Sequence, residues 1–378
     1  MEEIKNSKKN QFLSKFKEFA MRNLCEIITF TLYLIFLFIL RYIVFLQPPY
    51  VLYSEGEYDW EFYYRMSNDI TLIFQREIIV PFCYRVLYPF IVYLLPFHPL
   101  FSFNVITFMA FLLMGIILYY TLRLHFSKTY SVIGLVFLSA FMCASSEFFM
   151  MPFHFGYAID ALANLFFICC FYAILTSKKK LYMILLFFGV LTKENVLLTV
   201  IVFFFVNYYE DHQTLKFKQF LTSIYKNVKY VLPSIFILIV LRLIIVPLPV
   251  LEHPTWSALW GGDYLSLGFF IYHIQQHLLY PLSTIIALTY GAWSITFIFL
   301  FFNSKKNWMN WLKIYGVFVC VVYLQLLFGA HIVRTIIIAY YPMIVFSVFG
   351  FKHIIDHYYK KQLKQVDFDF FKPIEFSS

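Results

Sequence analysis

Two carboxylates set two residues apart stand early in the chain, in the stretch Ser54-Glu55-Gly56-Glu57-Tyr58-Asp59. In extended backbone, residues i and i+2 share a face, so Glu57 and Asp59 can act as a pair. Such a pair either coordinates a cation, or uses one member as a general base while the other tunes its pKa. A plain solvated acidic loop is the competing reading. Arg85, Lys193 and Arg334 form the complement, each at the edge of an apolar run. Arginine offers a fork of donors suited to phosphate and lysine a point charge. Three such cations at the level of lipid head groups can hold a phosphate or pyrophosphate. Singly, each serves equally well by snorkelling or in an ion pair, for Lys193 with the adjacent Glu194 or with Asp160. A carboxylate such as Asp160, at the end of an apolar run, is expensive unless it is paired or functional. Arg41 and Arg242 lie deeper in their runs and read as snorkelling or paired side chains.

Other chemistries find less support. His273 and His277 have the i, i+4 spacing of helical zinc ligands, but no HExxH glutamate lies between them, so they and His253 read as interfacial histidines. Cys25, Cys83, Cys143, Cys169, Cys170 and Cys320 lie in or beside apolar segments with no CxxC, as small buried apolar residues do. No P-loop, GxGxxG or GxSxG occurs in the context its mechanism demands. The formal net charge of +9 comes from basic residues between apolar runs, which speaks for topology rather than nucleic acid.

The elements that must position these residues are membrane spans. Of 378 residues, 61% are hydrophobic and only 13% charged, about half the share of a soluble domain. The many Phe and Tyr fit an AT-rich genome as well as any mechanism and carry no functional weight as a class. Apolar runs fall near 27–46, 101–123, 130–150, 157–176, 181–191, 195–209, 230–250, 281–302, 309–329 and 335–350. Several reach the length of about 20 residues that crosses a bilayer. The first is too long for a signal h-region and reads as an anchor. Segments between runs split by charge. Lysines gather in the N-terminus, near Lys128, at Lys178 to Lys180, between Lys216 and Lys229, at Lys305 and Lys306, and after Lys352. Basic segments stay cytoplasmic, so the acids and arginines above face the other side. Lys180 and Lys216 then need an even number of crossings between them. The run 181–209 supplies this as a hairpin of two short helices, broken at Thr192-Lys193-Glu194-Asn195 and lining a polar cavity. The expectation is an all-α polytopic bundle of about ten spans with both ends cytoplasmic. Its parts are a basic N-terminus at 1–26, a transmembrane domain at 27–350 and a cytoplasmic tail at 351–378. The first outward loop, 47–100, carries short amphipathic or re-entrant helices, because Pro89 and Pro96 interrupt any full span there. An acid-and-cation surface on one leaflet suits an enzyme acting on a lipid-linked substrate.

These features together resemble the GT-C superfamily of membrane glycosyltransferases. Glu57-Tyr58-Asp59 is similar to that family's modified DxD motif, often ExD, shortly after the first span. Pro81-Phe82-Cys83-Tyr84-Arg85-Val86-Leu87-Tyr88-Pro89 resembles the PF-x-YRVL-x-P segment of many bacterial members. Leu191-Thr192-Lys193-Glu194-Asn195 resembles the KE break of their central hairpin, and Arg334 their late arginine. The resemblance runs over roughly 27–350, and it lacks the large soluble domain of members that act on proteins. It implies a polyprenyl-phosphate sugar donor and a lipid-linked or glycan acceptor, met at the extracytoplasmic face of a plasma membrane. Asp59 would be the general base and Glu57 would orient the acceptor or tune Asp59. Arg85, Lys193 and Arg334 would stabilise the leaving phosphate, with Asp160 and Glu194 beside them in the substrate site. Monophosphate donors commonly need no metal, whereas pyrophosphate donors bring a divalent cation such as Mg or Mn. Both stay open, as do an outer-leaflet glycan polymerase or ligase and a lipid or solute transporter.

Overall fold

The computed structural model describes residues 23–43, 59–75, 77–78, 82–144, 158–212, 216–245 and 340–359, with Gly316 and Phe318; of Asp59, Trp60, Phe82, Ala144, Ala158, Glu210, Asp211 and 357–359 it describes only the backbone. Every regular element among them is helical. These helices are α1 (Asn23–Ile43), α2 (Asp59–Asn68), α3 (Leu87–Leu94), α4 (Pro99–Arg123), α5 (Lys128–Ala144), α6 (Ala158–Leu175), α7 (Lys179–Thr192), α8 (Thr199–Asp211), α9 (Phe217–Asn227), α10 (Leu232–Ile244) and α11 (Tyr340–Tyr359). Two of them, α1 and α4, are long and apolar enough to cross a membrane. A third candidate is the pair formed by Phe217–Tyr230 and Leu232–Ile244, bent by 62°. The expected runs 281–302 and 309–329 lie outside the described elements.

Contacts between α1 and α4 run the length of both helices. Glu26 accepts from the Tyr119 hydroxyl, Phe38 packs on Phe108, and Arg41 donates to Asn104 at 3.1 Å. Numbers rising on one helix and falling on the other make the pair antiparallel. Midway, the Tyr33 hydroxyl donates to the Phe111 carbonyl at 3.0 Å, and its ring lies over Gly115. A Cβ at Gly115 would overlap that ring, so glycine permits the close approach. Arg41 is thus paired, as its depth in an apolar run demands.

Helices α6 and α7 form a tight hairpin. Ser177, the one positive-φ residue besides glycine among the described residues, sits at φ 53°. Its amide donates to Ile174 and that of Lys178 to Ala173, which closes the end of α6 in a Schellman motif. The following hairpin is broken where the sequence analysis places the break. Helix α7 stops at Thr192, Lys193 is extended at φ −157°, ψ 129°, and a 3-10 turn spans Glu194–Leu198 before α8. Val196 folds back onto Gly189, where a Cβ would meet Val196 Cγ1 at 2.7 Å. Farther along, Tyr182 stacks on Phe203 at 4.3 Å, so α7 and α8 are antiparallel. At 14 residues, α7 is about 21 Å long, short of a bilayer's hydrocarbon core.

Following these pairings, the long helices alternate between two ends. Arg123, Lys128, the turn Ser177–Lys178, helix α9 and Lys352 mark one end; Glu26 pairs with Lys128, Lys352 lies over the Tyr130 ring, and Lys179 donates to Asn227. The first turns of α4 and α6 and the Lys193 break mark the other. Helix α11 spans the distance, from Tyr340 donating to the Asn164 carbonyl in α6 to Lys352 at the start of α5.

The segment 82–94, expected as a short interrupted helix, is a 3-10 turn (Phe82–Tyr84) followed by α3, eight residues or about 12 Å. Pro89 is the third residue of α3, in the first turn where no intrahelical N–H donor is needed. The helix ends before Pro96, so the segment makes no full crossing.

Candidate functional site

Four of the residues singled out from sequence meet at the Lys193 break. Arg85 follows the 3-10 turn Phe82–Tyr84 and reaches across the fold to Glu194. Its Nη2 donates to Oε1 at 2.6 Å and its Nε to Oε2 at 3.1 Å, a two-pronged match of guanidinium to carboxylate. Its third prong, Nη1, donates to the Tyr63 hydroxyl at 3.2 Å. One residue before Glu194, Lys193 pairs with Asp160 in the first turn of α6. A carboxylate near a helix N-terminus also gains from the helix dipole.

Sequence neighbours serving different partners follow from local geometry. In extended backbone, successive side chains point to opposite sides. Extended Lys193 therefore turns toward α6 while Glu194 turns toward Arg85. The break brings together two salt bridges that close over 33 and 109 residues of chain.

Burial sets the electrostatics. Arg85 is 6% exposed and Lys193 9%. Leaving either cation unpaired there would cost several kcal/mol, so the two carboxylates hold them charged and oriented. The four charges sum to zero. An incoming anion can therefore take over a cation only as its carboxylate partner yields, and Glu194 is the more exposed of the two acids.

Helix α2 bears on this cluster through Tyr63, fully buried against Arg85. Asp59 is the first residue of α2, four positions before Tyr63, so the backbone sets it one helical turn, about 6 Å, from the residue that touches Arg85. Glu57 and Arg334 lie outside the described residues. Two other acids of the first loop have structural partners: Glu77 pairs with Arg65, and Asp69 caps the turn Ile70–Phe74. The Thr71 hydroxyl and amide hold the Asp69 carboxyl below its usual range.

One residue enters that sequence reasoning missed, and another, Arg242, enters with a partner the sequence did not name. Tyr63 is one of 30 tyrosines, and only its contact with Arg85 sets it apart. Arg242, at the far end of α10, places its guanidinium 5.6 Å from the Tyr84 ring centroid, beside Arg85 in sequence. It was expected to snorkel or pair, and stacking on Tyr84 is such a pairing. Among the described residues, no group of three or more His, Cys, Asp or Glu side chains is placed to hold a metal ion. Among known proteins, no family model, no curated protein and no solved structure matches the chain.

Proposed function

We propose that this chain is a multi-pass membrane glycosyltransferase. It moves a sugar from a polyprenyl-phosphate donor to a lipid-linked or glycan acceptor, with inversion, at the extracytoplasmic face of the plasma membrane. The observation that carries this reading is the buried Arg85–Glu194 and Lys193–Asp160 cluster, which Tyr63 touches from α2 one helical turn after Asp59. A base beside paired, water-poor cations is what displacement of a phosphate from an anomeric carbon requires. Segregation supports it too, since the lysine-bearing end of the helices is opposite the cluster. In this reading α1, α4, α5, α6, α7, α8, α10 and α11, together with the apolar runs at 281–302 and 309–329, would be the spans of a bundle of about ten.

In this mechanism Asp59 takes the proton of the acceptor hydroxyl as its oxygen attacks the anomeric carbon. The bond from that carbon to the phosphate oxygen breaks, and the phosphate leaves with the electron pair. Arg85 and Lys193 exchange their carboxylate partners for the phosphate and stabilise its growing charge, a few kcal/mol per well-placed donor. Glu194 and Asp160 keep the two cations paired between turnovers. Arg334 would add a third cation and Glu57 would orient the acceptor.

Asp59→Asn tests the assignment. The purified full-length variant should bind donor like the wild type and lose transfer by about 10²–10⁴-fold. Near-normal turnover in a correctly folded Asp59→Asn protein would remove Asp59 from the role of base.

A further inference from the structure

Helix α9 has three faces, and among the described residues one of them packs on other elements. Phe220, Ser223 and Asn227 face inward: the Phe220 ring packs on Phe205 at 4.9 Å and Tyr208 at 5.5 Å, and Asn227 accepts from Lys179 at 3.1 Å. Phe217, Leu221 and Tyr225 recur every fourth residue, so they form one stripe about 80° wide. They are 75%, 49% and 84% exposed. Lys218, Lys226 and Lys229 follow on the next arc, and all three are exposed.

The stripe continues into helix α10. There Leu232, Phe236, Ile239 and Leu243 line one side and are 51%, 67%, 51% and 78% exposed. That pattern belongs to a helix whose outer face meets hydrocarbon. The two segments meet at 62°. With α10 near the bilayer normal, α9 lies about 28° (90° minus 62°) from the bilayer plane. An apolar stripe at that angle sits at the boundary between acyl chains and head groups.

Charge names the occupant. Helix α9 and its flanks carry Lys216, Lys218, Lys226 and Lys229 with no acid between Lys216 and Tyr230. The Lys179–Asn227 hydrogen bond brings the turn bearing exposed Lys178 and Lys180 to the same end. Clustered lysines beside an interfacial apolar stripe match a layer of anionic phosphates. We propose that α9, with the Lys178–Lys180 turn, is a docking surface for anionic phospholipid head groups. The stripe Phe217, Leu221, Tyr225 enters the acyl boundary while the lysines engage lipid phosphates.

The experiment uses the full-length chain in vesicles of phosphatidylcholine, with and without phosphatidylglycerol, containing acyl-chain quencher lipids. A genetically encoded fluorescent side chain replaces Tyr225 in one sample and Thr222 in another, both exposed positions. Quenching at position 225 should exceed that at 222 several-fold, and phosphatidylglycerol should increase it. Lys218→Gln/Lys226→Gln/Lys229→Gln, exposed changes that leave the inward face intact, should abolish the increase. Equal quenching at both positions would overturn the interfacial placement. Quenching that ignores phosphatidylglycerol would overturn the head-group assignment. Loss of quenching as protein density rises would mean that a second copy of the chain covers the stripe.

Discussion

Arg85 and Glu194 stand 109 residues apart and bind through two hydrogen bonds, with Tyr63 closing the third side of the guanidinium. Removing one partner strands the other charge in a buried site, which typically costs about 3–5 kcal/mol. Arg85→Met alone should therefore lower thermal stability in detergent by that order. The double variant Arg85→Met/Glu194→Met should recover most of the loss, because no buried charge is left unpaired. If the double variant were as damaged as the sum of the single ones, the pair would not act as a unit. The candidacy of Arg85, Asp160, Lys193 and Glu194 was legible in the sequence, since each is a charge set in apolar surroundings. Which acid serves which cation was not, because the answer lies in the extended conformation of Lys193. Tyr63 carried no signal at all, for a tyrosine in so aromatic a chain looks like packing until a guanidinium is found against it.

Helix spacing is set by small residues and turns. Gly115 lets the Tyr33 ring and hydroxyl reach the backbone of α4. Gly115→Ala should force the ring aside and cost about 1–3 kcal/mol, read as a lower melting temperature; an unchanged one would show that Tyr33 relocates freely. In the turn between α4 and α5, burial pushes the His125 imidazole down to about 4 from its ordinary 6.5. A depressed folded pKa means that stability is complete above pH 6.5 and falls as pH drops toward 4, by at most about 3 kcal/mol. His125→Phe should flatten that part of the stability-versus-pH curve, and an unchanged slope would assign it to the carboxylates. The apolar runs anticipated α1, α4, α6, α7 and α8 to within four residues at each end, including the break after Thr192, whereas α11 continues nine residues past the expected end at 350. They did not anticipate α9, whose mixture of lysines with Phe217, Leu221 and Tyr225 reads as a basic loop when only continuous apolar runs are sought.

Across the whole molecule, the lysine-bearing end and the ionic cluster are separated by the length of α7, about 21 Å. The proposed topology puts the first in the cytoplasm and the second outside. A membrane-impermeant maleimide added to intact cells should label His98→Cys, exposed before α4 at the cluster end, and spare Lys180→Cys, exposed at the other, in a background without Cys25 and Cys143. The reverse pattern would invert the assignment. The central claim is sugar transfer from a phosphate-linked lipid, and it is tested most directly by release of that lipid phosphate. Purified wild type and Asp59→Asn would be incubated side by side with radiolabelled polyprenyl-phosphate mannose, glucose, galactose and arabinose plus a membrane lipid extract. The account predicts polyprenyl phosphate release from at least one donor by the wild type and none by the variant. Equal release by both, or none by either across the panel, would contradict it.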